Sequence, residues 1–210
     1  KWMFETDNFE VLNNAIDTDL YTYNKEKADK VKKEFGIENK FVIGHVGRFN
    51  YPKNHKFIID VFNEVQKVKE DSVLMLVGDG DLRAEIEQKV QDLGLSDKVI
   101  FTGVRSDVNE LMQGMDMFLF PSLYEGLPVT MVEAQASGLK CIISDKVPLE
   151  CKMTENVEVV KLEESPQKWA KEVLKYEKYE RQNTKEEIAK ANFDIKANAK
   201  YLQEFYLNKC

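Results

Sequence analysis

Apolar residues in this chain gather in short runs that scarcely alternate with polar ones: FVIGHV (41–46), VLMLV (73–77), KVIFTG (98–103), MFLF (117–120), CIIS (141–144) and VEVV (157–160). Runs of this length, rich in Val, Ile and Phe, predict strands buried on both faces, because a strand with one wet face would alternate. Between them the spacing lengthens to that of a helix over 57–69, 82–93, 108–113 and 129–136. In the first of these, Ile58, Val61, Phe62, Val65 and Val68 share one face. This alternation predicts an α/β domain: a parallel sheet of about six strands with helices on both faces and right-handed crossovers. After Ser165 the runs stop, and WAKEVLKYEKYERQ, EEIAKANF and IKANAKYLQEFYL read as charged helices. They are expected to pack outside the sheet or to reach towards another lobe. The division expected is a linker with a short strand over 1–22, the sheet domain over 23–165 and C-terminal helices over 166–210.

Ligands of open parallel sheets bind beyond the carboxyl ends of the strands. In this chain those ends carry GRFNYPKN (47–54), GDGD (78–81), GVRSD (103–107), PSLYEGLP (121–128) and SDKVP (144–148). Their glycines allow close backbone approach, with acids and bases a few residues on. Gly47 and Gly126 can expose amides, and Gly78 and Gly80 read as turn residues at the sheet edge. Arg48 and Lys53 sit in one loop, a planar multi-donor fork and a mobile point charge, which is what a diphosphate clamp requires. Pairing of Arg48 with a carboxylate and solvation of Lys53 would explain the same residues without a ligand.

The stretch YEGLPVTMVE (124–133) opens a helix, with Pro128 suited to its first position and the amides of Val129, Thr130 and Met131 pointing out of the N-terminus. Glu125 lies just outside, where a cap would account for it. Glu133 interrupts an apolar or small face, and a buried carboxylate must be hydrogen-bonded. Ribose hydroxyls or a backbone partner would each serve. Asp79 and Asp81 have a spacing that a divalent cation could use, but Asp81 directly precedes LRAEIEQ and reads better as an N-cap. His45, in a strand, and His55, at a helix start, read as structural, since no nucleophile accompanies them. There is no GxGxxG or Walker A loop.

Composition narrows the ligand. Hydrophobic residues make up 43 % and charged residues 32 %, an ordinary globular mixture. A net charge of −7 argues against non-specific nucleic-acid binding and confines any anion to a local positive site. Cys141, Cys151 and Cys210 lack zinc spacing, so reduced thiols and a cytoplasmic location are expected. No apolar run approaches the ~20 residues that span a bilayer. The opening residues read as a chain already in progress, so a fragment is expected, with Trp2, Phe4 and Phe9 covering a surface continuous with a missing lobe.

The motifs VGRFNYPKNHKFIIDVF, LVGDGDLRAEIE, VIFTGVRSDVNELMQGMDMFLFPSLYEGLPVTMVEAQASG and ISDKVP stand in an order that resembles the C-terminal, donor-binding lobe of retaining GT-B glycosyltransferases (glycosyl transferase group 1, family 4). Glu125 to Glu133 matches the family's EX7E pattern, and NNAIDTDLY (13–21) resembles its inter-lobe linker, with Ala15 where a glycine is usual. The resemblance covers about residues 10 to 160 and implies a Rossmann-like lobe that binds a nucleoside diphosphate sugar, a UDP-sugar above all, without a metal or other cofactor. By motif, Arg48 and Lys53 would hold the diphosphate as it leaves, and Glu125 would contact sugar hydroxyls. Gly47, Gly78 and Gly80 would line the donor site. The amides of Gly126, Leu127, Val129 and Thr130, around Pro128, would meet sugar and phosphates. Glu133 would bind ribose, and the backbone at Val104 and Arg105 would flank the base. The other lobe would bind the acceptor, and SDKVPLE resembles bacterial capsular or exopolysaccharide enzymes. The full-length enzyme would sit at the inner face of the membrane when its acceptor is lipid-linked.

Two rivals are an epimerase of similar architecture and a non-enzymatic α/β module such as a receiver. The first needs acid–base residues that we do not find. The second leaves Arg48, Lys53 and the EX7E stretch without a task.

Overall fold

The computed structural model describes residues 10–209. Trp2, Phe4, Phe9 and Cys210 lie outside them. All six apolar runs form strands: β1 Phe41–Val46, β2 Ser72–Val77, β3 Val99–Gly103, β4 Met117–Phe120, β5 Lys140–Ser144 and β6 Val157–Val160. They make one parallel sheet in the order β3-β2-β1-β4-β5-β6, with β1 in register from Phe41↔Ser72 to Val46↔Val77. The chain builds outward from β1 to β3, then returns to lay β4 on the other side of β1. That reversal places the switch point, where a crevice opens, between the loops after β1 and β4.

Successive residues of the inner strands β2, β1, β4 and β5 bury on opposite faces, whereas the edge strands β3 and β6, expected to be buried on both faces, are only partly covered because each has a neighbour on one side alone. Ile43, Leu74, Leu76 and Leu119 pack with α3 (His55–Gln66) and α4 (Arg83–Asp92), while Val42, Met75, Phe118 and Ile143 pack with α5 (Val108–Gly114) and α6 (Val129–Ala136). This second face also receives Val31 of α2 (Lys25–Glu34), a helix the hydrophobic pattern did not announce. Its sequence, KEKADKVKKE, buries only Ala28 and Val31, too few positions to mark a period. Helix α3 ends at Gln66, so Val68 leaves the helical path and stands exposed instead of joining Val65.

The C-terminal region holds α7 (Pro166–Leu174), α8 (Lys185–Lys190) and α9 (Ile195–Lys209). Trp169 and Val173 of α7 belong to the same core as α3, with the Trp169 ring edge-on to Phe57 at 5.6 Å. The expected long helix from Trp169 stops at Leu174, and residues 175–184 run on without regular structure. Arg181 lies in that segment and donates to carbonyls at the ends of α5 and α6. Ile188 and Phe193 pack with Ile16, Val132 and Ala136, so the chain before β1 and the chain after α8 meet on α6. The described part of residues 1–22 contributes α1 (Thr18–Tyr21) and an isolated bridge, Ile16 to Asp194.

Candidate active site

The two loops of the crevice are stitched together by short-range chemistry. After β1, a 3-10 turn at Tyr51–Lys53 leads into Asn54, which holds a left-handed conformation (φ 55) and starts α3. Its Nδ2 donates to the Pro121 carbonyl at 3.1 Å, and the Leu123 amide donates back to the Pro52 carbonyl at 2.8 Å. Lys53 is thereby carried into the β4–α6 loop. Its Nζ lies 4.7 Å from the centre of the Phe120 ring and donates to Glu125 Oε1 at 2.7 Å. The two side chains are 16 % and 11 % exposed, so this ion pair is largely withdrawn from solvent. Glu125 is therefore not a helix cap, because the Lys53 ammonium is the stronger partner within its reach.

Arg48 stands exposed on the same loop, its guanidinium 3.7 Å from Asp81. Asp81 does not cap α4 either: the cap position is Leu82 and carries no side-chain bond. Asp79 accepts instead from the Gly80 amide and pairs with Arg83. Among the described residues, no group of three or more His, Cys, Asp or Glu could hold a metal ion. Gly78 and Gly80 let the β2 loop lie against the β1 loop. A Cβ on Gly78 would stand 2.2 Å from the Gly47 carbonyl oxygen, and one on Gly80 2.6 Å from that of Phe49.

Pro128 occupies the cap of α6 in an extended conformation, rather than its first helical position. Its carbonyl accepts from the Met131 amide at 2.9 Å, so of the three amides expected to point outward only those of Val129 and Thr130 remain open among the described residues. The Thr130 hydroxyl is buried without a partner among the described residues. Leu127 is exposed, and a Cβ on Gly126 would meet nothing within 4 Å among the described residues, whose packing does not demand glycine there.

Glu133 is half-buried, and its Oε1 accepts from Tyr21 Oη at 2.6 Å. A side chain of α1, not a backbone group, is thus its partner within the chain. Burial raises the carboxyl pKa and the Tyr21 hydrogen bond opposes that rise only in part. Val104 is exposed, while the Arg105 guanidinium grips Asp107 at 2.6 and 2.7 Å and reaches Glu34 at 3.5 Å. Beneath Gly47, His45 Nδ1 donates to the Leu119 carbonyl at 2.9 Å, which leaves its Nε2 as an acceptor with no partner among the described residues. His55 stacks on Phe49 at 4.0 Å. Burial above all, with the Lys53 ammonium adding to it, holds both rings neutral: His45 well below its usual pKa, His55 at about 4. Both histidines are buried against aromatic rings. Tyr21, Asn54 and Phe120 were not singled out from the sequence; Asn54 alone had a local signal, as a turn former before a helix.

A raised carboxylate pKa means that the folded chain holds a proton the unfolded chain has lost. Stability attributable to Glu133 therefore falls as pH rises from the unfolded value through the folded one. We expect Glu133→Gln to melt higher than the wild type at pH 7, and the gap to close by pH 4. Tyr21→Phe should cost about 1 kcal/mol at pH 7 by stranding the carboxylate. Thermal melts of both variants across pH 4 to 7 check this.

The fold and the crevice together define a Rossmann-like α/β domain of the kind that forms a lobe of GT-B glycosyltransferases. The family described as Glycosyl transferases group 1 matches residues 27–194, and the chain belongs to that family. It is 36 % identical over 213 residues to the Bacillus subtilis protein EpsF, named as a glycosyltransferase, covering 96 % of this chain and 54 % of EpsF. It is 32 % identical over 139 residues to the UDP-Gal:alpha-D-GlcNAc-diphosphoundecaprenol alpha-1,3-galactosyltransferase of Escherichia coli, covering 64 % of this chain and 36 % of that protein. The structure of Anabaena HepE in complex with UDP and glucose matches with a TM-score of 0.75 at 23 % identity, over 94 % of this chain and 56 % of that one. The chain thus spans about half the length of the first of these relatives.

Proposed function

We propose that this chain is the donor-binding lobe of a retaining hexosyltransferase that takes its sugar from a UDP-sugar. The observation that carries the reading is the Lys53–Glu125 pair, which joins the loops after β1 and β4 a few residues ahead of the open amides of Val129 and Thr130. Cation and amides suit a diphosphate, and the carboxylate suits sugar hydroxyls. Arg48, exposed and loosely held, adds a second charge. Together they would stabilise the negative charge that grows as the nucleoside diphosphate departs, which is electrostatic catalysis. In this reading no metal ion takes part, since the two cations supply the charge. Glu133 would accept from ribose with the oxygen that Tyr21 leaves free. A second lobe would bring a polysaccharide or lipid-linked acceptor, at the inner face of the cytoplasmic membrane in the latter case. Alone, the chain would bind the donor weakly and transfer little.

Calorimetric titration with UDP, UDP-glucose, UDP-galactose and GDP-mannose tests this. Uridine ligands should bind and GDP-mannose should bind less well, and Glu133→Ala should weaken UDP about tenfold by removing a charged hydrogen-bond acceptor. Absence of heat with every ligand overturns the reading.

A further inference from the structure

We propose that the Lys53–Glu125 ion pair is a charge latch: a diphosphate must take Lys53 from Glu125 before that carboxylate can read the sugar. The inference rests on the donor-lobe reading and adds an order and a penalty to it. Lys53 has little freedom. Its side chain is only 16 % exposed, its Cδ and Cε pass beside Gly47, 3.2 and 3.3 Å from where a Cβ would stand, and the Phe120 ring lies 4.7 Å from the ammonium. A boxed stem leaves the Nζ only a short arc, so an anion that reaches Lys53 must compete with Glu125 inside that arc. Arg48 differs, being exposed and 3.7 Å from its acid, free to swing towards a ligand without releasing anything buried.

Glu125 is the partner able to move. It lies in the irregular stretch between β4 and α6, and the space beside Gly126 is open. A carboxylate only 11 % exposed, once parted from its cation, needs new donors, and sugar hydroxyls supply them. A bare nucleoside diphosphate opens the latch and strands that carboxylate, whereas a sugar nucleotide opens it and satisfies it. The closed pair therefore lowers affinity for the bare diphosphate, because only the open fraction is competent to bind.

The test is a double-mutant cycle on the 210-residue chain, titrating UDP and UDP-glucose into wild type, Glu125→Gln, Lys53→Gln and the double variant. Glu125→Gln should bind UDP about tenfold more tightly than wild type. It should also lose most of the preference for UDP-glucose over UDP. In the Lys53→Gln background, adding Glu125→Gln should change UDP affinity less than about twofold, since the latch is already gone. Equal or weaker UDP binding by Glu125→Gln overturns the latch. So does a tightening that persists without Lys53, which would be plain charge repulsion. Should Glu125→Gln fail to fold, the carboxyl carbon resonance of Glu125 in the wild type decides: it should move on UDP addition, and a stationary resonance overturns the proposal. If folded wild type binds no UDP at all, the donor-lobe reading itself fails.

Discussion

Gly78→Ala should lower stability by about 3 kcal/mol and weaken UDP binding at least about tenfold. Gly78 has φ 132, a backbone conformation that side chains rarely adopt, and its missing Cβ would stand 2.2 Å from the Gly47 carbonyl oxygen. Backbone cannot step aside as a flexible side chain can. The β1 and β2 loops are joined here by the Gly47 amide donating to Val77 and the Phe49 amide donating to Asp79, at 3.0 and 2.9 Å. Pushing them apart breaks these bonds and shifts Arg48 and Lys53 together. Gly126→Ala is the contrast, since a Cβ there meets nothing within 4 Å. It should leave stability unchanged, so any loss of UDP affinity would report close approach of the ligand. Denaturant unfolding and calorimetry on both variants check the pair; a Gly78→Ala chain within about 0.5 kcal/mol of wild type would refute the clash.

Arg181→Met should cost about 3 kcal/mol, leaving UDP affinity of the folded fraction intact. Its guanidinium donates to the carbonyls of Met112 and Gln113, both at 2.9 Å, to that of Ser137 at 3.2 Å and to that of Met115. These oxygens lie at the carboxyl ends of α5 and α6, where helix dipoles concentrate negative potential. Burial lowers the Arg181 pKa to about 10, still well above neutrality, so the cation persists. Methionine fills much of the space and strands four carbonyls. Lysine should not rescue, because a point charge cannot serve so spread a set of acceptors. Parallel unfolding curves and UDP titrations separate stability from binding.

Much of this protein is legible without coordinates. Every strand falls within one residue of an apolar run, because short stretches rich in Val, Ile and Phe that scarcely alternate suit a parallel sheet covered by helices. Helix α6 matched at both ends, bounded by Pro128 and a Ser–Gly pair. Helix α2 escaped notice because it is held by its neighbours and by the Asn24 cap, rather than by a stripe of its own. Capping assignments for Glu125 and Asp81 failed for a related reason: each acid has a local task available, and through-space partners decide whether it performs it.

The sequence by itself determined the strands, their order along the chain and the glycines, cations and acids of the loops, since these follow from local periodicity and from residue chemistry. Only the tertiary structure decided that Lys53 would meet Glu125 across 72 residues and Tyr21 meet Glu133 across 112. Periodicity carries no information about which loops share an edge. That is set by where the chain turns back beside β1, and with it whether a charge faces solvent, a ligand or another charge.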